Sequence, residues 1–356
     1  MKNIYLQIPV NTSEIPDMVL ATVIRTEGST PQKPGSSALF NKSGLVAGTI
    51  GGGVIEGKVQ NLALRSIEKK EAVYRTFTLD TDASAGEDAL CGGRITVLID
   101  PYLDRHKNVF EGLRNSFLAR VPAVLITLVS DEGNEKILVS RYWTTDEDRS
   151  SIPEELKPLI EPEIEALISG IDSYDLRELM IHQEEGKPSQ ILILEPVIPS
   201  PRLIIAGAGH IGKALSRIGS MLDFEVTIID DRPEFANAAN IPSANHIITG
   251  DIGDSIQNME KGENAYFVIV TRGHRDDGKA LKACIGSDAA YIGMIGSKTK
   301  VALMRREFIE EGWSTEEQWE KIFAPIGLDI KSKTVEEIAV SIAAQLVQVK
   351  NNRDKK

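Results

Sequence analysis

Two kinds of pattern divide the chain. Up to about residue 199 the apolar positions alternate with polar ones or gather in short β-branched runs. From Arg202 onward, short continuous apolar runs take turns with helical spacing. In the first part "MVLATVIRT" predicts a strand, and "SALF" and "LVAGTI" about the polar turn "NKSG" predict a hairpin. Val54, Ile55, Val59, Leu62, Ala63 and Ile67 recur at helical intervals and predict an amphipathic helix. "VYRTFTL" and "RITVLID" then read as strands. Farther on, "AVLITLVS" and "KILVSRYW" flank "DEGNE" as a hairpin. Ser151 and Glu154 form a capping-box pattern with Pro153 between them, which predicts a helix start. "QILILEPV" is a strand, and "PVIPSPR" is a proline-marked linker.

Beyond the linker, "LIIAGAG", "EVTIIDD", "HIITGD", "YFVIVTRG" and "AYIGMIGS" have the unbroken apolar character of strands buried on both faces. Helical patterns stand between them, and Thr334 with Glu337 caps a final helix. The class is therefore α/β: a strand-rich α+β domain, then a Rossmann-like, doubly wound parallel sheet. The boundaries fall at 1–102, 103–199 (an acidic α+β middle region) and 200–356.

Composition narrows the function. The 356 residues are 42% hydrophobic and 26% charged, the profile of a globular chain. A net charge of −12, most of it between Asp104 and Gln190, argues against nucleic acid or an anionic membrane as partner. No apolar run reaches the ~20 residues of a membrane span. The first residues lack the apolar core of a secretory signal. Two cysteines, Cys91 and Cys284, fit a reducing cytoplasm and give no disulfide framework or cysteine-based zinc site. Since an iron–sulfur cluster takes about four Cys, the chain is not a complete iron–sulfur flavoenzyme.

Gly207, Gly209 and Gly212 spell G-x-G-x-x-G between a strand and a helix. The first permits a tight turn, the second lets backbone approach a pyrophosphate, and the third lets helix and strand pack. A βα turn that merely needs glycine would read the same. Asp230, at the end of the second strand, is placed to hold a ribose hydroxyl. Asp231 and Arg232 follow it, and Arg232 suits either a 2′-phosphate or stacking on a base. Other candidates stand at strand C-termini: His210 in the loop, His274 and Asp277 in "TRGHRDD", and Ser297 and Lys298 at a helix start. Near the N-terminus "GTIGGGVIEG" makes a second strand–glycine–helix junction. There Gly51, Gly52 and Gly53 would offer N–H groups to an anion, with Glu56 one turn into the helix.

In order, "TEGSTPQKPGS", "GTIGGGVIEG", "CGGRITVLIDPY", "IIAGAGHIGKAL", "DDRPEF", "TRGHRDD", "YIGMIGSKTK" and "APIGLDI" resemble the XdhC/CoxI family of xanthine dehydrogenase accessory proteins. The resemblance implies an XdhC domain followed by a Rossmann domain. It implies a chaperone that binds the molybdenum cofactor (molybdopterin or its dinucleotide form), protects it when sulfurated, and inserts it into a xanthine dehydrogenase-type molybdenum hydroxylase. A cysteine desulfurase as further partner and a homodimer follow from the same resemblance. On it, both glycine stretches are expected to line one ligand cleft, and Cys91 in "EDALCGGRITV" is expected to touch the molybdenum centre or pass sulfur to it. Cys284, in a helical pattern, reads as core. The chain departs from the family at Val54, where some members carry Cys, and at Gln32, where many have a basic residue. The competing expectation is an NAD(P)-dependent oxidoreductase with His274 as acid/base.

Overall fold

The computed structural model describes residues 4–9, 17–79, 92–134, 136–169, 175–181 and 189–353. The chain forms two compact units, Met1–Pro199 and Ser200–Lys356.

The first unit is built on two antiparallel sheets. One joins β1 (Met18–Glu27), β2 (Ser37–Asn41), β3 (Gly44–Gly48), β4 (Val73–Thr78) and β5 (Arg94–Asp100) in the order β3-β2-β1-β5-β4. Helix α1 (Gly53–Lys69) packs Ile55, Val59, Ala63 and Ile67 onto Val19, Ala21 and Val23 of the central strand. The alternate residues Met18 and Leu20, and Ile24 at a bulge, point the other way. They meet the second sheet, β6 (Ala123–Asp131), β7 (Ile137–Thr145), β8 (Arg177–Ile181) and β9 (Ser189–Val197), in the order β7-β6-β9-β8. Helix α2 (Lys107–Leu118) seals one end of that interface with Phe110 and Leu113. Helix α3 (Lys157–Ser169) covers the outer face of the second sheet through Ile160 and Ile164. The layers are thus helix, sheet, sheet, helix.

Ser151 does not cap α3. Its hydroxyl donates to the Trp143 carbonyl and accepts the Trp143 N–H at 3.2 Å, tying the chain back to β7. The helix begins six residues later, at Lys157.

Polar side chains also meet between the sheets. Arg141 on β7 donates to Asp100 on β5 at 2.9 Å and to Thr127 on β6 at 2.9 Å, and both members of the ion pair are almost wholly buried. Glu195 on β9 keeps some residue surface exposed, but burial of its carboxyl pushes it up to about 7, against the pull of Tyr5 and Arg141. A carboxyl raised in the folded state binds a proton that the unfolded chain releases. Its contribution to stability therefore falls as pH rises from about 4.5 to about 7. Glu195→Gln is expected to match wild type near pH 5 and to exceed it at pH 8 by about 1–3 kcal/mol. Denaturant titrations of both proteins across that range check this. The difference cancels His106, whose burial lowers its pKa and which titrates in both. A constant difference would remove Glu195 as the titrating group.

The second unit is a parallel sheet of β10 (Arg202–Ala206), β11 (Glu225–Asp230), β12 (His246–Thr249), β13 (Ala265–Ile269) and β14 (Tyr291–Met294), in the order β12-β11-β10-β13-β14. Alternate residues of each strand serve the two faces. Leu203, Ile205, Val226, Val268 and Tyr291 pack with α4 (His210–Met221) and α9 (Val335–Arg353). Ile204, Ile229, Phe267 and Met294 pack with α5 (Ile252–Gln257), α6 (His274–Cys284), α7 (Lys298–Glu310) and α8 (Glu316–Glu320). Cys284 is a core residue on that second face, as expected, and burial pushes its thiol up to about 12. The capping box at the start of α9 is present: Thr334 Oγ1 accepts the Glu337 N–H at 3.2 Å and Glu337 accepts the Thr334 N–H at 3.1 Å.

Phe323 and the segment "APIGLDI" that follows it form a strap along β14. Phe323 accepts the Met294 N–H at 3.0 Å and donates to the Ile292 carbonyl at 2.9 Å, and Ile326 donates to the Met294 carbonyl at 3.0 Å. The Ala324–Pro325 peptide is cis. Gln345 on α9 accepts from Tyr291 Oη at 2.6 Å and from the Gly327 N–H at 2.8 Å, pinning the strap to strand and helix.

Candidate functional site

In the second unit the strand order reverses between β10 and β13: connections run from β10 to β11 and β12, then return to β13 and β14. Open α/β sheets bind ligands at such a switch point, outside the carboxyl ends of the strands. The helices that follow these two strands start alike. Helix α4 has Gly209 as its N-cap and His210 as its first residue; α6 has Gly273 and His274 in the same positions. Neither glycine supplies a side-chain cap. By contrast α5, α7 and α8 are capped by Asp251, Ser297 and Thr315. The first-turn N–H groups of α4 and α6 therefore lack the side-chain acceptor that α5, α7 and α8 of the same unit possess.

The three glycines of the Rossmann loop do different work. Gly207 has φ 120°, and a Cβ there would lie 2.4 Å from the Val270 carbonyl oxygen. A Cβ at Gly212 would lie 1.9 Å from the Gly207 oxygen. Both are demanded by the fold. Gly209 has φ −70°, and a Cβ there would meet nothing within 4 Å; Gly273, with φ −160°, is equally open. Neither conformation nor packing requires glycine at these two positions.

Asp230 is buried, and both its oxygens are engaged by the protein. It accepts the Ala208 N–H at 2.8 Å and takes a two-pronged contact from Arg232, Nε at 2.8 Å and Nη2 at 2.9 Å. Burial works against ionisation, yet Arg232 and the two N–H donors hold its carboxyl below the ordinary range. The Arg232 guanidinium stacks 3.9 Å from the Phe235 ring centroid. Asp231, one residue on, is exposed and pairs with Arg272 at 2.7 Å.

His274 is exposed, with Nε2 3.4 Å from Glu307. Asp277, one turn into the same helix, is fully buried. It accepts the Thr271 hydroxyl at 2.6 Å and pairs with Lys300. Burial raises its carboxyl above the ordinary range, with Lys300 and Thr271 opposing. The structure thus turns these two residues to different partners. Lys300 is not among the residues that the sequence singles out. Ser297 caps α7 by accepting the Lys300 N–H at 3.2 Å, and this fixes the helix phase so that Lys300, rather than Lys298, turns to Asp277. The "K-T-K" spacing after a capping Ser is the available signal.

In the first unit α1 also opens on a glycine N-cap, Gly52, without a side-chain cap. Gly51, Gly52 and Gly53 have φ 132°, 69° and 55°, so a left-handed backbone explains the triple glycine. A Cβ on Gly51 would also lie 2.6 Å from Pro31 Cγ. Glu56 folds back over this loop, accepting the Thr49 hydroxyl at 2.7 Å and the Ile50 N–H at 3.1 Å. Cys91 lies outside the described residues. Among the described residues no group of three or more His, Cys, Asp and Glu is placed to hold a metal ion, and no helix is long and apolar enough to cross a membrane.

The fold defines a chain with a Rossmann-like domain, in which the helices after the two switch-point strands start without a side-chain cap, preceded by an α+β domain. Comparison with known proteins makes this specific. Residues 203–346 match the XdhC Rossmann domain and residues 16–78 the XdhC and CoxI family. The chain belongs to the XdhC and CoxI family. It is 24% identical over 352 residues to a Bacillus subtilis protein named as a probable xanthine dehydrogenase subunit, covering 98% of both chains. It is 31% identical over 153 residues to the uncharacterized protein YqeB of Escherichia coli, 43% of this chain but only 28% of that protein's length. A crystal structure of a xanthine dehydrogenase from Bacillus halodurans shares its fold, with TM-score 0.78 and 22% identity over 99% of this chain and 96% of that one.

Proposed function

We propose that this protein is an accessory factor of a xanthine dehydrogenase-type molybdenum hydroxylase, and that it binds the molybdenum cofactor and inserts it, sulfurated, into that enzyme. Family membership and the name carried by the Bacillus subtilis relative support the accessory role. The observation that carries ligand binding is the pair of glycines, Gly209 and Gly273, that the fold itself does not need. The cofactor is a pterin dithiolene with a phosphate or a nucleotide, hence an anion, and uncapped helix starts are where anions bind. The residues present fit such a group: the first turns of α4 and α6 would take its phosphate, with Arg272 and Lys300 as nearby cations. Bound there, the cofactor would supply the molybdenum–sulfur centre that the client needs. A cysteine desulfurase as sulfur source and a homodimer are parts of the same proposal.

The test is mass spectrometry of ligand extracted from protein made in a molybdate-fed host, together with activation of an apo client. Gly209→Val is the cleaner variant, because Gly52→Val would also strain a left-handed backbone. It is expected to keep the fold, to bind molybdopterin at least about tenfold more weakly through loss of charged hydrogen bonds, and to activate the client poorly. Extraction of NAD(P) in place of a pterin would favour the oxidoreductase instead.

A further inference from the structure

Two guanidinium groups from different strand ends converge on one exposed carboxylate. Asp231 follows β11, and Arg272 follows β13. These two strands flank β10, whose end opens into the glycine loop. The Asp231–Arg272 pair, 2.7 Å long, therefore reaches across the exit of that loop. Arg232 Nε stands 3.8 Å from Asp231 Oδ1. Both guanidinium groups have further support. Arg232 is held by Asp230 and by the Phe235 ring. Arg272 Nε has Asp276 at 3.8 Å.

We propose that Arg232 and Arg272 form an anion clamp at the mouth of this crevice, and that Asp231 occupies the clamp as an internal competitor which a phosphate-bearing ligand displaces. The proposal rests on the reading above that the crevice takes a phosphate-bearing ligand. Three features make Asp231 the displaceable member. Its side chain is 43% exposed, so the released carboxylate returns to water. Neither arginine is orphaned when it leaves. Asp230, the carboxylate that the sequence offers for a ribose, is already consumed by Ala208 and Arg232. An exposed ion pair is weak, whereas a phosphate brings more charge and two-pronged geometry to a guanidinium. A phosphomonoester or diphosphate therefore wins the clamp, while a lone carboxylate merely exchanges with Asp231. The crevice selects for phosphate by carrying its own monoanion.

Calorimetric titration of the full chain at fixed low ionic strength, with inorganic pyrophosphate and with ADP as probes, tests this. Asp231→Asn is expected to bind both probes roughly two- to fivefold more tightly, the worth of the exposed pair it removes. Arg272→Met is expected to bind both at least about tenfold more weakly. In the double variant the gain from Asp231→Asn should disappear, since both substitutions act on one contact. Unchanged or weaker binding by Asp231→Asn, with wild type binding the probes, would make Asp231 a bystander or a ligand contact and overturn the clamp alone. Binding of ADP without pyrophosphate would place recognition on the nucleoside and also overturn it. Failure of wild type and Asp231→Asn alike to bind either probe at millimolar concentration would remove the phosphate reading itself.

Discussion

Asp230→Ala is expected to destabilise the C-terminal unit by about 2–4 kcal/mol, far more than loss of a ligand contact alone would. The carboxylate joins three elements: the end of β11, the glycine loop through Ala208, and the segment after the strand through Arg232. Removing it leaves the buried Ala208 N–H without an acceptor and a half-sheltered guanidinium without its partner. Hydrogen-exchange mass spectrometry should show faster exchange in peptides from β10 and the start of α4, with a lower melting temperature. Asp231→Asn, one residue away and exposed, should change stability by no more than about 0.5 kcal/mol. Equal behaviour of the two variants would mean that Asp230 does not hold the loop in place.

In the first unit the largest effect is expected from Arg141→Met, about 3–5 kcal/mol. Arg141 and Asp100 have side-chain exposures of 3% and 0%, so the substitution strands a carboxylate between two sheets. Asp100→Leu combined with Arg141→Met removes the stranded charge as well and should recover most of the loss, because an apolar pair of similar volume often replaces a buried ion pair without penalty. Denaturant unfolding of both variants, with exchange rates for β5 and β7 peptides, decides the matter. If the double variant is as unstable as the single one, packing rather than charge governs this site.

These two networks also mark where local sequence reading ends. The Rossmann strands are legible because buried parallel strands are apolar throughout, and the glycine loop because its spacing answers a backbone requirement. Arg232 stands two residues from Asp230, but the Ala208 N–H that Asp230 accepts and the Asp100 carboxylate that pairs with Arg141 lie 22 and 41 residues away, so no short window along the chain shows what these groups hold together. The packing of the two N-terminal sheets does leave a trace. "MVLATVI" in β1 is apolar at consecutive positions, as a strand covered on both faces must be, and the structure puts α1 on one side and the second sheet on the other. Helix α2 escapes the sequence reading although Phe110, Leu113 and Phe117 recur at helical spacing. The Ser151 cap misleads because a hydroxyl can serve a neighbouring strand as readily as a helix start, and only the position of Trp143 decides between them.

The strap formed by Phe323 and "APIGLDI" bears on how the molecule avoids unwanted assembly. A strand at the border of a sheet carries a row of unpaired donors and acceptors, an invitation to another chain. On the β14 border Phe323 and Ile326 already occupy that row, and Gln345 holds the next residue, Gly327. The opposite border, β12, is only four residues long. The sheet that carries the candidate site is thus sealed on one side and cut short on the other, and offers crowded neighbours little template on which to extend it.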